Sequence, residues 1–219
     1  MIVYAVVQGE YISLAESRKR QPEGKRSIYV NLTNRCTCSC TFCLRQLKEM
    51  DEASTLWLKE EPSVELVQQE LTAAPWELVQ EVVFCGFGEP TMRLADLVQL
   101  LGWVRKTHPE VHTRLNTNGL SDLAYGRDTA PDFGGGILDT ISISLNASNA
   151  ERYLALTRNS FGIGSYEAML QFAVHCQAYV PEVVMTIVDQ VEDAAEIAAC
   201  RKICVERGLK LRVRPYEAH

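Results

Sequence analysis

"SIYVNLTNRCTCSCTFCLR", residues 27–45, runs from a β-rich segment straight into four cysteines within eight positions: Cys36, Cys38, Cys40 and Cys43. The chain has eight cysteines in all. Small secreted proteins crowd cysteines for disulfides, and metal proteins crowd them for ligation. The remaining sequence has to decide between the two, and with that decision comes the fold.

With 219 residues, 47% hydrophobic and 8% aromatic, the chain is one ordinary globular domain or at most two small ones. A chain of this length buries roughly 70% of the surface it exposes when unfolded, so it needs no disulfide staples. The net charge of −6 argues against a broad phosphate-binding surface. A local basic patch, and with it a nucleic-acid partner, stays open. The start, "MIVYAVVQGEY", has six apolar residues before Gln8, no basic opening and no small-residue cleavage site, so it does not read as a signal peptide. No run approaches the ~18 apolar residues of a membrane helix. The expected compartment is the cytoplasm, where thiols stay reduced and the disulfide reading loses its weight.

Residues 2–7 and 11–15 read as a hairpin about Gly9-Glu10, and the charged stretch "ESRKRQPEGKRS" (16–27), with Pro22 and Gly24, as an exposed loop. Beyond it the pattern alternates. Strands are expected at 27–33, 78–86, 111–119, 138–147, 182–189 and 209–217. Helices are expected at 63–74 (with Ser63 as N-cap), 94–108, 165–179 and 191–208, the last stopped by Gly208. The connection 120–137, with "GRDTAPDFGGG", is only weakly helical. Alternating strands and helices mean βαβ units on a parallel sheet. A full eight-fold barrel takes ~250 residues, so the pattern fits an α/β fold of six units, an open (β/α)6 barrel or a doubly wound sheet. Residues 1–26 then form an N-terminal hairpin and loop, and 27–219 the core domain.

In such folds ligands bind at the carboxyl ends of parallel strands. The first core strand ends in the cysteines, the second in "CGFGEP" (85–90), the third in "NTNG" (116–119) and the fourth in "SLNA" (144–147). Their coincidence on one rim says more than any one of them. Zinc wants four ligands, usually as two close pairs held apart. Four cysteines in one short loop suit it poorly, although Cys200 and Cys204, one helical turn apart, could supply a second pair. Iron–sulfur clusters tolerate closely spaced thiolates, and Cys36-x3-Cys40-x2-Cys43 gives three ligands.

C-x3-C-x-(aromatic)-C, with Phe42 as the aromatic, resembles the signature of the radical S-adenosylmethionine (SAM) superfamily. The resemblance implies a [4Fe–4S] cluster on Cys36, Cys40 and Cys43 with one open iron that takes the amine and carboxylate of SAM. One electron from the cluster then breaks the C5′–S bond, giving methionine and a 5′-deoxyadenosyl radical. "GFGEP" resembles the family's G-G-E-P motif, with Phe87 in place of a glycine; Gly88 and Glu89 keep their places, and Glu89 is expected to accept a hydrogen bond from the SAM amine. "NTNG", with Asn118, resembles the loop after the third strand, and Ser144 with Asn146 the ribose contacts on the fourth. "LRVRPY", with Arg214, resembles the strand that passes the adenine. "NLTNRCT", "TFCLR" and "CGFGEPT" further resemble the short radical SAM proteins associated with TatD-type nucleases.

The resemblance also implies an electron donor of flavodoxin or ferredoxin type, which Arg35, Arg45 and Lys48 could meet. Cys38, midway between two ligands, is expected to point away from the cluster. Cys85, Cys176, Cys200 and Cys204 read as small buried hydrophobes, His108, His112 and His175 as cap or surface residues, and Gly134–Gly136 as a flexible loop. Arg212 and Arg214 alternate with Leu211 and Val213, leaving two orientations open: outward to solvent, or inward towards an anion. The substrate is not readable. A protein, peptide or nucleic acid would suit a short barrel with a wide mouth, and a small molecule competes. The alternative function is a non-catalytic iron–sulfur or zinc protein, an electron carrier or scaffold.

Overall fold

The computed structural model describes residues 1–47, 50, 54–189, 191 and 193–215. It divides into two compact units, one of residues 1–35 with 49–115 and one of 36–48 with 116–219.

In the first unit β1 (Val3–Val7) pairs antiparallel with both β2 (Glu10–Ile12) and β3 (Arg26–Val30). From β3 onward the pairing is parallel, to β4 (Val79–Phe84) and then to β5 (His112–Thr117). Ile28, Val30, Val82, Val83, Phe84 and Leu115 are all fully buried, the near-continuous apolar run expected of parallel strands. Two of the unit's helices sit where the apolar spacing puts them: α3 (Val64–Thr72), capped by the Ser63 hydroxyl on the Leu66 N–H, and α4 (Leu94–Thr107), which buries Leu97, Leu100, Leu101 and Val104.

The loop expected at 16–27 is wrong in its first half. Leu14–Arg20 forms a further helix, α1, with Ser13 as N-cap accepting from the Glu16 N–H. Its stability comes from a residue that the sequence reading left in the loop. Arg26 is 9% exposed, and its guanidinium donates to the Ser17 carbonyl at 2.9 Å, the Ser17 hydroxyl at 2.7 Å and the Gln21 carbonyl. A cation thus satisfies carbonyls at the helix's C-terminal end, where its charge also meets the negative end of the helix dipole.

The second unit holds three parallel strands in sequence, β6 (Thr140–Ser144), β7 (Glu182–Val188) and β8 (Lys210–Arg214). Its helices are α2 (Leu44–Leu47), α5 (Ser121–Tyr125), α6 (Ala150–Thr157), α7 (Ser165–Cys176) and α8 (Ala194–Glu206). A Cβ at Gly119 would touch Ile143 of β6 and Met169 and Phe172 of α7, so the Ile143 side of the strand faces that helix. The opposite side carries Thr140, Ser142 and Ser144, with Thr186 of β7 in register beside Ser144. Thr140, Ser142 and Thr186 are 3–4% exposed. A parallel sheet is normally apolar on both faces, so a buried face of hydroxyls is built for something other than packing. Arg212 settles its own orientation: its Nη2 donates to the Ser142 hydroxyl at 2.8 Å, which puts it on this polar face. Arg214, two residues on, has an exposed side chain, and its carbonyl accepts from the Asp189 N–H.

Cys176, Cys200 and Cys204 are fully buried, as small hydrophobes should be; Cys85 is only half-buried, its sulfur 3.5 Å from the Tyr4 hydroxyl. His108 caps α4 and stacks on Trp76. Among the described residues no helix is long and apolar enough to cross a membrane.

Candidate active site

In the second unit the cysteine loop is fastened to the end of α6. The Ser39 N–H donates to the Thr157 carbonyl and the Thr41 N–H to the Leu156 carbonyl, both at 2.9 Å, and the Ser160 N–H returns a bond to the Thr37 carbonyl at 3.0 Å. The last carbonyls of a helix have no intrahelical partner; here the loop supplies them. The chain then turns away through Arg158, in the left-handed region at φ 45°. Within the loop the Cys40 carbonyl accepts from the Cys43 N–H, and the Cys43 carbonyl starts α2 by accepting from Gln46 and Leu47. Arg45 reaches back to the Cys38 carbonyl at 3.3 Å.

All four cysteines are free thiols, and they are not equivalent. Cys36, Cys40 and Cys43 are partly exposed; Cys38 is buried, at 6%. Cys38, expected to point away from the cluster, lies close to its neighbours in the loop. Its thiol is hydrogen-bonded with those of Cys36 and Cys40, and those bonds, with burial, push its pKa far up. The same bond holds the Cys40 thiol below its ordinary value. Burial pushes Cys43 up. Three partly exposed thiols on the x3–x2 spacing fit a three-thiolate cluster as a donor set.

Asn118 faces this loop from the turn after β5. Its Nδ2 lies 3.1 Å from the Thr37 hydroxyl, 3.5 Å from the Cys38 sulfur and 3.9 Å from the Cys36 sulfur. Ser144 ends β6, half-buried, and Asn146 follows it, 4% exposed with φ 60°. Asparagine tolerates that conformation better than most residues. Phe42 is half-buried in the cysteine loop.

Gly88 and Glu89 belong to the first unit, where the 85–89 loop lies directly against 31–35. A Cβ on Gly88 would come within 2.2 Å of the Thr33 carbonyl oxygen and 2.7 Å of that of Arg35. One on Gly86 would meet the Asn31 side chain at 2.1 Å. Phe87 lies between them, 7% exposed and edge-on to Trp57 at 5.5 Å. This is why the middle position accepts a large residue while its neighbours do not. Gly88→Ala is accordingly expected to lose ~1–3 kcal/mol by overpacking against backbone, and Phe87→Gly less of its loop geometry; urea unfolding of both variants measures the difference.

Glu89 is 5% exposed. Its N–H donates to the Arg35 carbonyl at 2.8 Å, and its Oε1 accepts from the Thr91 N–H and hydroxyl at 3.1 and 2.8 Å, capping the 3₁₀ turn Pro90–Arg93.

Sequence reasoning missed the segment 54–62. Asn31 donates to the Leu56 carbonyl at 2.6 Å, Asn34 exchanges two bonds with Leu58, and Glu61 takes the Thr33 hydroxyl and a two-pronged contact from Arg35 at 2.7 and 3.0 Å. The polar residues of "NLTNR" are clasps for this strap. Nothing in its own sequence, which has no periodicity, announces it.

A family model described as the radical SAM superfamily matches residues 30–199. GTP 3′,8-cyclase of Corynebacterium glutamicum (strain R) is 32% identical over 199 residues, covering 85% of this chain and 48% of that protein. GTP 3′,8-cyclase 2 of Mycobacterium tuberculosis (strain H37Rv) is 27% identical over 192 residues, covering 85% and 49%. The chain thus spans about half the length of the curated relatives it matches. Among solved structures, Streptococcus suis SuiB bound to precursor peptide SuiA aligns with a TM-score of 0.67 at 17% identity, over 93% of this chain and 42% of SuiB. A radical SAM methyltransferase from Sphaerobacter thermophilus aligns with a TM-score of 0.60 at 16% identity, over 87% and 55%. At such identity they show the fold alone, and it is the α/β fold with mostly parallel strands that the sequence implied.

Proposed function

Because the chain belongs to the radical SAM superfamily, we propose that Cys36, Cys40 and Cys43 hold a [4Fe–4S] cluster with which the enzyme cleaves SAM and takes a hydrogen atom from a substrate. The observation that supports this most is the difference among the four thiols, three partly exposed and one buried, on the x3–x2 spacing. A cluster held there would supply one electron to SAM, with an iron not held by the chain's thiolates open to SAM's amine and carboxylate.

The chain's own residues bind and orient. The Glu89 carboxylate accepts from an N–H of the SAM amine, which needs such an acceptor to keep one orientation. Asn118 holds the cysteine loop through Thr37. Ser144 and Asn146 take the ribose, Phe42 packs beside the cofactor, and the β8 backbone at Arg214 passes the adenine. Hydrogen abstraction needs no general base; it needs the target C–H beside C5′ and water kept out.

A reductant is required. Flavodoxin or ferredoxin, both acidic, would suit Arg35 and Arg45; Lys48, named with them, lies outside the described residues. Residues 27–219 are the catalytic core, 1–26 an addition to it, and the compartment the cytoplasm. The relatives' name makes GTP the first small molecule to try. The resemblance to the TatD-associated proteins points to no particular reaction, and a peptide or nucleic acid remains in the trial set.

Purified under nitrogen, the protein is expected to be brown, with about four irons per chain, and to release 5′-deoxyadenosine from SAM on adding dithionite. A colourless, zinc-loaded protein sinks the reading. Four irons without 5′-deoxyadenosine favours the electron carrier instead.

A further inference from the structure

We infer that Glu61, on the strap 54–62, is a positioning residue for SAM recognition: it fixes the backbone on which Glu89 hangs. The inference rests on the reading of Glu89 as the acceptor for the SAM amine. Glu61 itself reaches Glu89 only through the 33–35 backbone, so its effect is indirect.

The chain of contacts is short. One carboxylate oxygen of Glu61 accepts from the Thr33 hydroxyl and from Arg35 Nε at 2.7 Å; the other accepts from Arg35 Nη2 at 3.0 Å and lies 4.0 Å from Arg93 Nε. The Thr33 hydroxyl also accepts the Arg35 N–H at 2.9 Å, so a single carboxylate ties both ends of the 33–35 turn. Arg93, 11% exposed, bolts the strap from behind by donating to the Leu32 and Pro62 carbonyls at 3.0 and 2.6 Å. The fixed turn presents two carbonyls to the GFGEP loop. That of Thr33 abuts Gly88, and that of Arg35 abuts Gly88 and accepts the Glu89 N–H. Two-pronged Arg–carboxylate contacts set geometry as well as energy. The Arg35 guanidinium keeps the Glu61 carboxyl below the usual carboxylate range, so the clamp is charged at neutral pH. Arg35 and Glu61 are both exposed, where an ion pair adds little to global stability. Their use is local.

The test compares two ligands on protein loaded to equal iron content: SAM, and 5′-methylthioadenosine, which keeps the nucleoside and sulfur but lacks the amino-acid end. Glu61→Gln is expected to weaken SAM roughly fivefold, a fraction of what a direct charged hydrogen bond gives, and to leave 5′-methylthioadenosine unchanged. Glu61→Asp, which keeps the charge, should fall between Glu61→Gln and wild type. In the cluster-free chain Glu61→Gln should speed amide exchange in residues 85–93. Equal weakening of both ligands would mean a general structural role and overturn the inference. So would unchanged SAM affinity in Glu61→Gln where Glu89→Gln weakens it. If Glu89→Gln has no effect either, the reading of Glu89 is what fails.

Discussion

Serine at Cys36, Cys40 or Cys43 is expected to give a chain that retains almost no iron and forms no 5′-deoxyadenosine from SAM, while Cys38→Ser keeps both near wild type. Thiolates are what bind the iron, and a neutral hydroxyl is a poor replacement. Cys38 differs in setting as well as spacing. It is 6% exposed, and its thiol is bonded with those of Cys36 and Cys40, an arrangement in which a serine hydroxyl can still donate. A fourth thiolate would also occupy the iron that SAM needs. Iron per chain and SAM cleavage, measured anaerobically across the four single variants, check this. If Cys38→Ser behaves like the other three, the ligand assignment is wrong.

Glu89→Gln is expected to weaken SAM binding about 10- to 150-fold while iron content stays unchanged, since a charge-assisted hydrogen bond is worth ~1.5–3 kcal/mol. The substitution is clean because the cap on the 3₁₀ turn needs only an oxygen: a glutamine carbonyl can still accept from the Thr91 N–H and hydroxyl that Oε1 now serves. Equilibrium dialysis of the cluster-loaded variant is the measurement, and wild-type affinity would count against Glu89 as the amine acceptor.

The alternation of strands and helices was legible because each element declares itself locally, by apolar spacing and by caps such as Ser63. Of the described helices, the short α2 and α5 and the longer α1 and α6 were not. α1 offers a capping serine with Glu16 three residues on, but the charges and Pro22 that follow look like a loop, and the helix depends on Arg26 arriving from β3. α6 buries only Tyr153 and Thr157, too few apolar positions to make a pattern, though Asn149 caps it. At the site, the residue types were legible and their companions were not. "NLTNR" could be quoted as a motif without showing that Asn31, Thr33, Asn34 and Arg35 hold a strap more than twenty residues away. Side-chain-to-backbone clasps across such a distance leave no period in the sequence.

The seam between the cysteine loop and α6 has a bearing on the order of assembly. It includes three bonds between peptide groups: two N–H groups of the loop on two helix carbonyls, and one bond returned. Holding a residue's backbone in one conformation costs ~1–2 kcal/mol in lost freedom. Here much of that cost is met as the polypeptide folds, so a cluster on the proposed ligands would form in a ready-made cradle. Swapping a cysteine should therefore empty the cradle without unravelling it, and an iron-free variant would still melt cooperatively.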